Sequence, residues 1–201
     1  MPVGPHGLFD LTDIPTTRRA VRMLAASLAG TIPDEPSVTA QQIQVPRAED
    51  SEVPILLLRP QDASGPVPVL VWFHGGGQVL GFAGQDASWL KPLCAALGCA
   101  IAGVDYRLAP ETPAPGAAED GYTAYRWIGD NAAALGLDPD RVGLAGQSGG
   151  GGIAAATALL IRDRGATTPL FQLLMYPAPS RHRAAKQNPL RALRQLVATV
   201  E

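Results

Sequence analysis

Between Val67 and Phe73 the chain runs Val-Pro-Val-Leu-Val-Trp-Phe, an almost unbroken apolar segment that stops abruptly at His74-Gly75-Gly76-Gly77. A run of that length and content suits a strand buried on both faces. Such a strand needs helices above and below it, and the sequence downstream supplies them. Leu90 to Leu97 reads as helix, Cys99 to Val104 as strand, and Gly116 to Leu135 as helix stopped by Gly136. Arg141 to Ala145 is strand, Gly150 to Arg164 an Ala-rich helix closed by Gly165, and Leu170 to Tyr176 strand again. Alternation of this kind implies right-handed crossovers and a mostly parallel sheet with helices on both faces, an α/β fold. Upstream, Thr39 to Val45 and Val53 to Leu58 read as two further strands. The pattern Ala20, Val21, Leu24, Leu28 predicts an amphipathic helix over Thr16 to Ala29.

Composition narrows the function. A net charge of -2 offers nothing to nucleic acid or an anionic membrane. The two cysteines, Cys94 and Cys99, lack metal-type partners nearby and read as buried thiols rather than metal ligands. No apolar run approaches the roughly 20 residues of a membrane span, and the N-terminus has no signal-peptide pattern. The expected location is the cytoplasm, and oligomeric state is left open.

Two glycine blocks carry the chemistry. Gly146-Gln147-Ser148-Gly149-Gly150 lies where a strand meets a helix, the Gly-x-Ser-x-Gly arrangement of a nucleophile elbow. So sharp a turn strains the serine backbone and leaves no room for side chains two residues away, which Gly146 and Gly150 satisfy. Ser148 would stand at the N-terminus of the following helix, whose dipole favours developing negative charge. His74-Gly75-Gly76-Gly77 follows the earlier buried strand, where amides of Gly75 and Gly76, with that of Gly149, would stabilise an oxyanion. Each such donor lowers a barrier by about 3 kcal/mol.

With these blocks the chain resembles the hormone-sensitive-lipase-like branch of the α/β-hydrolases, the bacterial Gly-Asp-x-Gly esterases. Three segments carry the resemblance from about Val67 to Pro177: His74-Gly75-Gly76-Gly77, Asp105-Tyr106-Arg107-Leu108-Ala109-Pro110-Glu111, and Gly146-Gln147-Ser148-Gly149-Gly150-Gly151. The resemblance implies a carboxylic-ester hydrolase acting on small acyl esters through an acyl-enzyme, without cofactor. It makes Ser148 the nucleophile and Gly75, Gly76 and Gly149 the oxyanion donors. His74, with Gly77, Gly146 and Gly150, shapes the loops, and the Asp-Tyr-Arg block is structural. Four positions depart from the family pattern. Gln147 stands where an acid is usual, Gly149 where alanine is, Gly152 where asparagine is, and Gln78 where an aromatic is.

The family's acid and histidine should follow the serine. Downstream of Ser148 the only acids are Asp163 and Glu201, and the only histidine is His182. Asp163 lies about 15 residues along the helix, roughly 22 Å away, too far to orient a base. His182 follows the last strand and is the remaining candidate base, without an evident acid partner. The segment from Arg181 holds five basic residues and one acid; set against totals of 16 and 18, it leaves a body with 11 basic and 17 acidic residues. The expected organisation is a cap-like segment over 1–35, a partial hydrolase domain over 36–180 and a basic tail over 181–201, as in a C-terminally truncated hydrolase. A non-catalytic small-ligand binding module, or a degenerate esterase fragment, is the alternative.

Overall fold

The structure, a computed structural model, describes residues 11–31, 34–47 and 51–178. His182 and the expected basic tail over 181–201 lie outside the described residues. Helix α1 spans Ile14–Ala29, and strands β1 (Val38–Arg47) and β2 (Ser51–Pro60) follow as an antiparallel pair. Then come β3 (Val67–Phe73), a 3₁₀ turn (Ala83–Asp86), α2 (Ala87–Leu97) and β4 (Ala100–Val104). Helices α3 (Gly116–Asp130) and α4 (Ala132–Leu135) lead to β5 (Leu137–Gln147), α5 (Gly149–Asp163) and β6 (Gln172–Met175).

The strands form one six-stranded sheet in the order β1-β2-β4-β3-β5-β6. From β4 through β6 neighbours run parallel, while β2 meets β4 antiparallel. The expected α/β architecture is therefore present, with an antiparallel flank. Alternation along β3 separates the two cores. Val69, Val71 and Phe73 pack with Tyr125 and Ile128 of α3 and Ile153 and Ile161 of α5. Leu70 and Trp72 face the other way, toward Leu90 and Cys94 of α2.

The strand order places the site. From β3 the chain crosses to β4 on one side, then returns past β3 to β5 on the other. Strand order reverses between β3 and β5, and a crevice opens at their carboxyl ends. Phe73 pairs with Gly146, so both glycine blocks begin at that one edge.

Two elements differ most from the sequence expectation. The helix expected over Gly116 to Leu135 breaks at Asn131, whose side-chain Nδ2 donates to the Trp127 carbonyl at 2.8 Å. That bond competes with the helical ladder, as asparagine side chains do. Strand β5 starts at Leu137 rather than Arg141 because Leu137 pairs with Val67 ahead of a register shift. The polar run Asp138-Pro139-Asp140 conceals this in the sequence.

Helix α1 begins where Asp13 accepts a hydrogen bond from the Thr16 amide at 3.0 Å, an N-cap. Its apolar residues Leu24 and Leu28 are exposed, and Thr17 is its buried residue. A polar clasp holds it instead. Arg18 donates to the carbonyls of Val79 and Ala109 and pairs with Glu111 at 2.9 Å. At the far edge, β6 leaves Leu173 exposed, flanked by exposed Phe171 and Tyr176. Among the described residues no helix is long and apolar enough to cross a membrane.

Candidate active site

Ser148 occupies the turn between β5 and α5 with φ 51° and ψ -119°, a conformation that side-chain-bearing residues rarely adopt. Three backbone bonds hold it there. Its amide donates to the Met175 carbonyl at 2.9 Å, and its carbonyl accepts from Ala178 at 2.8 Å and Gly152 at 3.3 Å. The glycines around it are required by contact. A Cβ on Gly150 would overlap the carbonyl oxygens of Phe73 and His74, and one on Gly146 would press on the Gly150 carbonyl. The residue itself is half-buried.

The loop after β3 lies against this turn. A Cβ on Gly149 would stand 2.9 Å from the Gly77 amide nitrogen and 2.8 Å from that of Gln78. Gly75 lies against Gln147, whose Cγ would be 3.3 Å from a Gly75 Cβ. The structure thus brings Gly75 and Gly77 of the loop against Gln147 and Gly149 of the serine turn, with Gly146 and Gly150 packed inside it, at the N-terminal end of α5 whose first amides have no acceptor within the helix.

His74 sits under the loop and is buried. Its Nδ1 is 2.8 Å from the Gly75 carbonyl oxygen, and its ring stacks on Tyr106 at 4.3 Å between centroids. The Tyr106 hydroxyl donates to the His74 carbonyl at 2.7 Å. Burial pushes the His74 pKa down to about 4, with the nearby Arg22 charge adding to the effect. At neutral pH the ring is uncharged, and its Nδ1–H donates to Gly75. His74 shapes the loop from below.

The Asp-Tyr-Arg block holds the pieces around it. Asp105 accepts from the Ala83 amide at 3.2 Å, anchoring the 3₁₀ turn. Arg107 binds the fully buried Asp120 of α3 through its backbone amide and its guanidinium, and Arg47 of β1 reaches the same carboxylate at 2.7 Å.

Sequence reasoning missed Gln85 and Asp86. Asp86 is buried and accepts from Trp72 Nε1 at 2.9 Å and from Gln147 Nε2 at 3.1 Å. Gln147 in turn accepts from the Tyr176 hydroxyl at 2.9 Å. Burial raises the Asp86 pKa, opposed by hydrogen bonds from Trp72, Trp89, Gln147 and Gln85. Gln85 Nε2 donates to the Gly75 carbonyl at 3.2 Å. The one available signal was Gln147 at a position where an acid is usual. An acid there would face the Asp86 carboxylate, whereas the amide donates to it. Gly152 has a similar account, since a Cβ there would collide with the Ala178 carbonyl oxygen.

Among the described residues His74 is the only histidine, and no group of three or more His, Cys, Asp or Glu could hold a metal ion. Asp163 lies at the far end of α5, paired with Arg162.

The reversed strand order, the positive-φ serine between strand and helix, and the glycine loop beside it define an α/β-hydrolase. Residues 70–200, more than half the chain, match the family described as alpha/beta hydrolase fold, and the chain belongs to it, in its hormone-sensitive-lipase-like branch. The matched range continues past Pro177, the end of the segment that carries the residue resemblance. Carboxylesterase NlhH of Mycobacterium tuberculosis is 43% identical over 129 residues, covering 63% of this chain and 40% of that protein. Hormone-sensitive lipase of Ictidomys tridecemlineatus is 35% identical over 147 residues, covering 73% of this chain and 19% of that protein. The solved structure of Bacterial Heroin Esterase superposes with a TM-score of 0.79 at 39% identity, over 84% of this chain and 53% of that one. The chain spans about half or less of the length of these relatives.

Proposed function

We propose that this chain carries the nucleophile and oxyanion half of a carboxylic-ester hydrolase for small acyl esters. The observation that supports this best is Ser148, held at positive φ between β5 and α5 beside the β3 glycine loop. Ser148 Oγ attacks the ester carbonyl carbon while its proton passes to a base, and Gly75, Gly76 and Gly149 amides receive the oxyanion. The ester C–O bond then breaks, the alcohol leaves with a proton, and water hydrolyses the acyl-serine. This chemistry needs no cofactor.

Residues 36–180 act as the hydrolase body in this reading. The segment before them caps the acyl side, supported by the Arg18 bonds from α1 to Val79 and Ala109. His74, the only histidine among the described residues, is buried beneath the glycine loop with its Nδ1 on the Gly75 carbonyl and its pKa lowered to about 4, so it is not the base in this reading. The 201-residue chain should therefore hydrolyse short p-nitrophenyl esters only at a residual rate. An oxyanion hole and binding alone leave about 10³–10⁴ over water.

A fluorophosphonate provides the test of the nucleophile. Ser148 Oγ displaces fluoride from phosphorus and its proton passes to solvent, so prolonged exposure to excess probe should give one adduct by intact-mass spectrometry, absent in Ser148→Ala. A parent that gains no adduct contradicts the hydrolase reading and favours a non-catalytic binding module. Robust ester turnover lost equally in Ser148→Ala and His182→Ala would assign His182 as the base.

A further inference from the structure

The glycine loop and the serine turn belong to different strands, and the sheet alone does not fix their relative position. The 3₁₀ turn Ala83–Asp86 touches both. It is itself pinned at the carboxyl end of β4, where the Ala83 amide donates to Asp105 at 3.2 Å. From that base two consecutive side chains reach one turn each. Gln85 Nε2 donates to the Gly75 carbonyl at 3.2 Å, and Asp86 accepts Gln147 Nε2 at 3.1 Å.

The first contact has a consequence for the Gly76 amide. Gly75 C=O and Gly76 N–H belong to one planar trans peptide and point in opposite directions. The Gly75 oxygen is held twice, by His74 Nδ1 at 2.8 Å and by Gln85. Fixing that oxygen fixes the direction of the Gly76 N–H, one of the proposed oxyanion donors. The second contact acts on the residue next to Ser148. Gln147 is clamped between Asp86 and the Tyr176 hydroxyl, and Trp72 Nε1 at 2.9 Å holds the Asp86 carboxylate in turn.

We propose that Gln85 and Asp86 are paired positioning residues: Gln85 aims the Gly76 N–H, and Asp86, through Gln147, sets Ser148 opposite it. This rests on the nucleophile and oxyanion reading above. Neither side chain touches the substrate. Their effect is on the geometry of the reacting centre, where preorganised donors matter most.

Fluorophosphonate labelling of the full chain separates the two readings and tests this one. The rate of the covalent step and the dissociation constant of the probe are measured separately, alongside the urea midpoint of each variant. Gln85→Glu keeps the size of the side chain but replaces the donor with a carboxylate beside the Gly75 oxygen. It should slow the covalent step about tenfold to a hundredfold, part of the loss seen when an oxyanion donor is removed. Probe affinity and urea midpoint should hardly change.

Asp86→Asn and Gln147→Glu should each slow the step as well. Combined, they restore a donor facing an acceptor, with the new amide at position 86 donating to the new carboxylate at position 147. The double variant should recover most of the parent rate. Unchanged rates in Gln85→Glu overturn the role of Gln85, even if the Asp86 variants fail to fold. A double variant no faster than the slower single overturns the clamp. A parent with no Ser148-dependent labelling overturns the hydrolase reading itself, and this inference with it.

Discussion

The turns that end β3 and β5 meet at one edge of the sheet, yet they are held by different means. The serine turn is fixed by backbone. Gly146 and Gly150 leave no space for a side chain, and Ser148 is bonded through its own amide and carbonyl. The glycine loop has backbone restraints of its own, with a Cβ on Gly76 overlapping the Leu80 carbonyl oxygen and the Val79 and Leu80 amides donating to Gly76. It adds side chains to them: His74 and Gln85 grip the Gly75 carbonyl and Tyr106 the His74 carbonyl. A turn made by sterics tolerates no added atom. The side-chain bonds added to the glycine loop can be loosened in steps.

That contrast is sharpest in two alanine substitutions. Gly150→Ala drives a Cβ into the carbonyls of Phe73 and His74, and should cost about 3 kcal/mol or more in urea unfolding. Gly77→Ala meets nothing within 4 Å and bears only its φ of 63°, so it should cost about 1 kcal/mol. Equal losses would erase the distinction between these two positions.

The next largest effect is in pH. The folded His74 pKa of about 4 lies below the ordinary 6.5, so the unfolded chain takes up the proton first as pH falls. Its contribution is present above pH 6.5 and lost on the way down to 4, amounting to about 2 kcal/mol by pH 5. Asp86 has the opposite sign: its raised pKa favours the folded state at low pH and loses that contribution as pH rises through it. Comparing parent with His74→Gln at about pH 7 and about pH 5 isolates the histidine. A difference between them that does not change with pH would contradict a buried neutral His74.

Tyr106→Phe should have the smallest effect. It removes the bond to the His74 carbonyl, worth about 1 kcal/mol. The ring stack on His74 is retained. Thermal unfolding of the variant checks this, and a loss of several kcal/mol would mean the hydroxyl holds more than the loop.

The same contrast explains what the sequence could reveal. The elbow was legible because steric need leaves a composition signature: glycines at fixed spacing between an apolar run and an Ala-rich helix. The sheet was legible for the same reason, with β3 matching its apolar run end to end. Gln85 and Asp86 were not, because a side chain reaching a backbone carbonyl ten residues away in sequence leaves no periodic trace. The antiparallel contact of β2 with β4 was hidden too, since strand direction is a property of tertiary pairing. The apolar spacing did reveal α1, which spans Ile14–Ala29, but not what holds it. Arg18 holds it, and Leu24 and Leu28 face solvent.

In the proposed reading Ser148 and the β3 loop enclose one reacting centre. A crystal structure of the phosphonylated chain tests it most directly. The account predicts phosphorus bonded to Ser148 Oγ, with the phosphoryl oxygen within about 3.1 Å of the Gly149 amide and of the Gly76 amide. An adduct whose phosphoryl oxygen points to solvent, away from both amides, would contradict it.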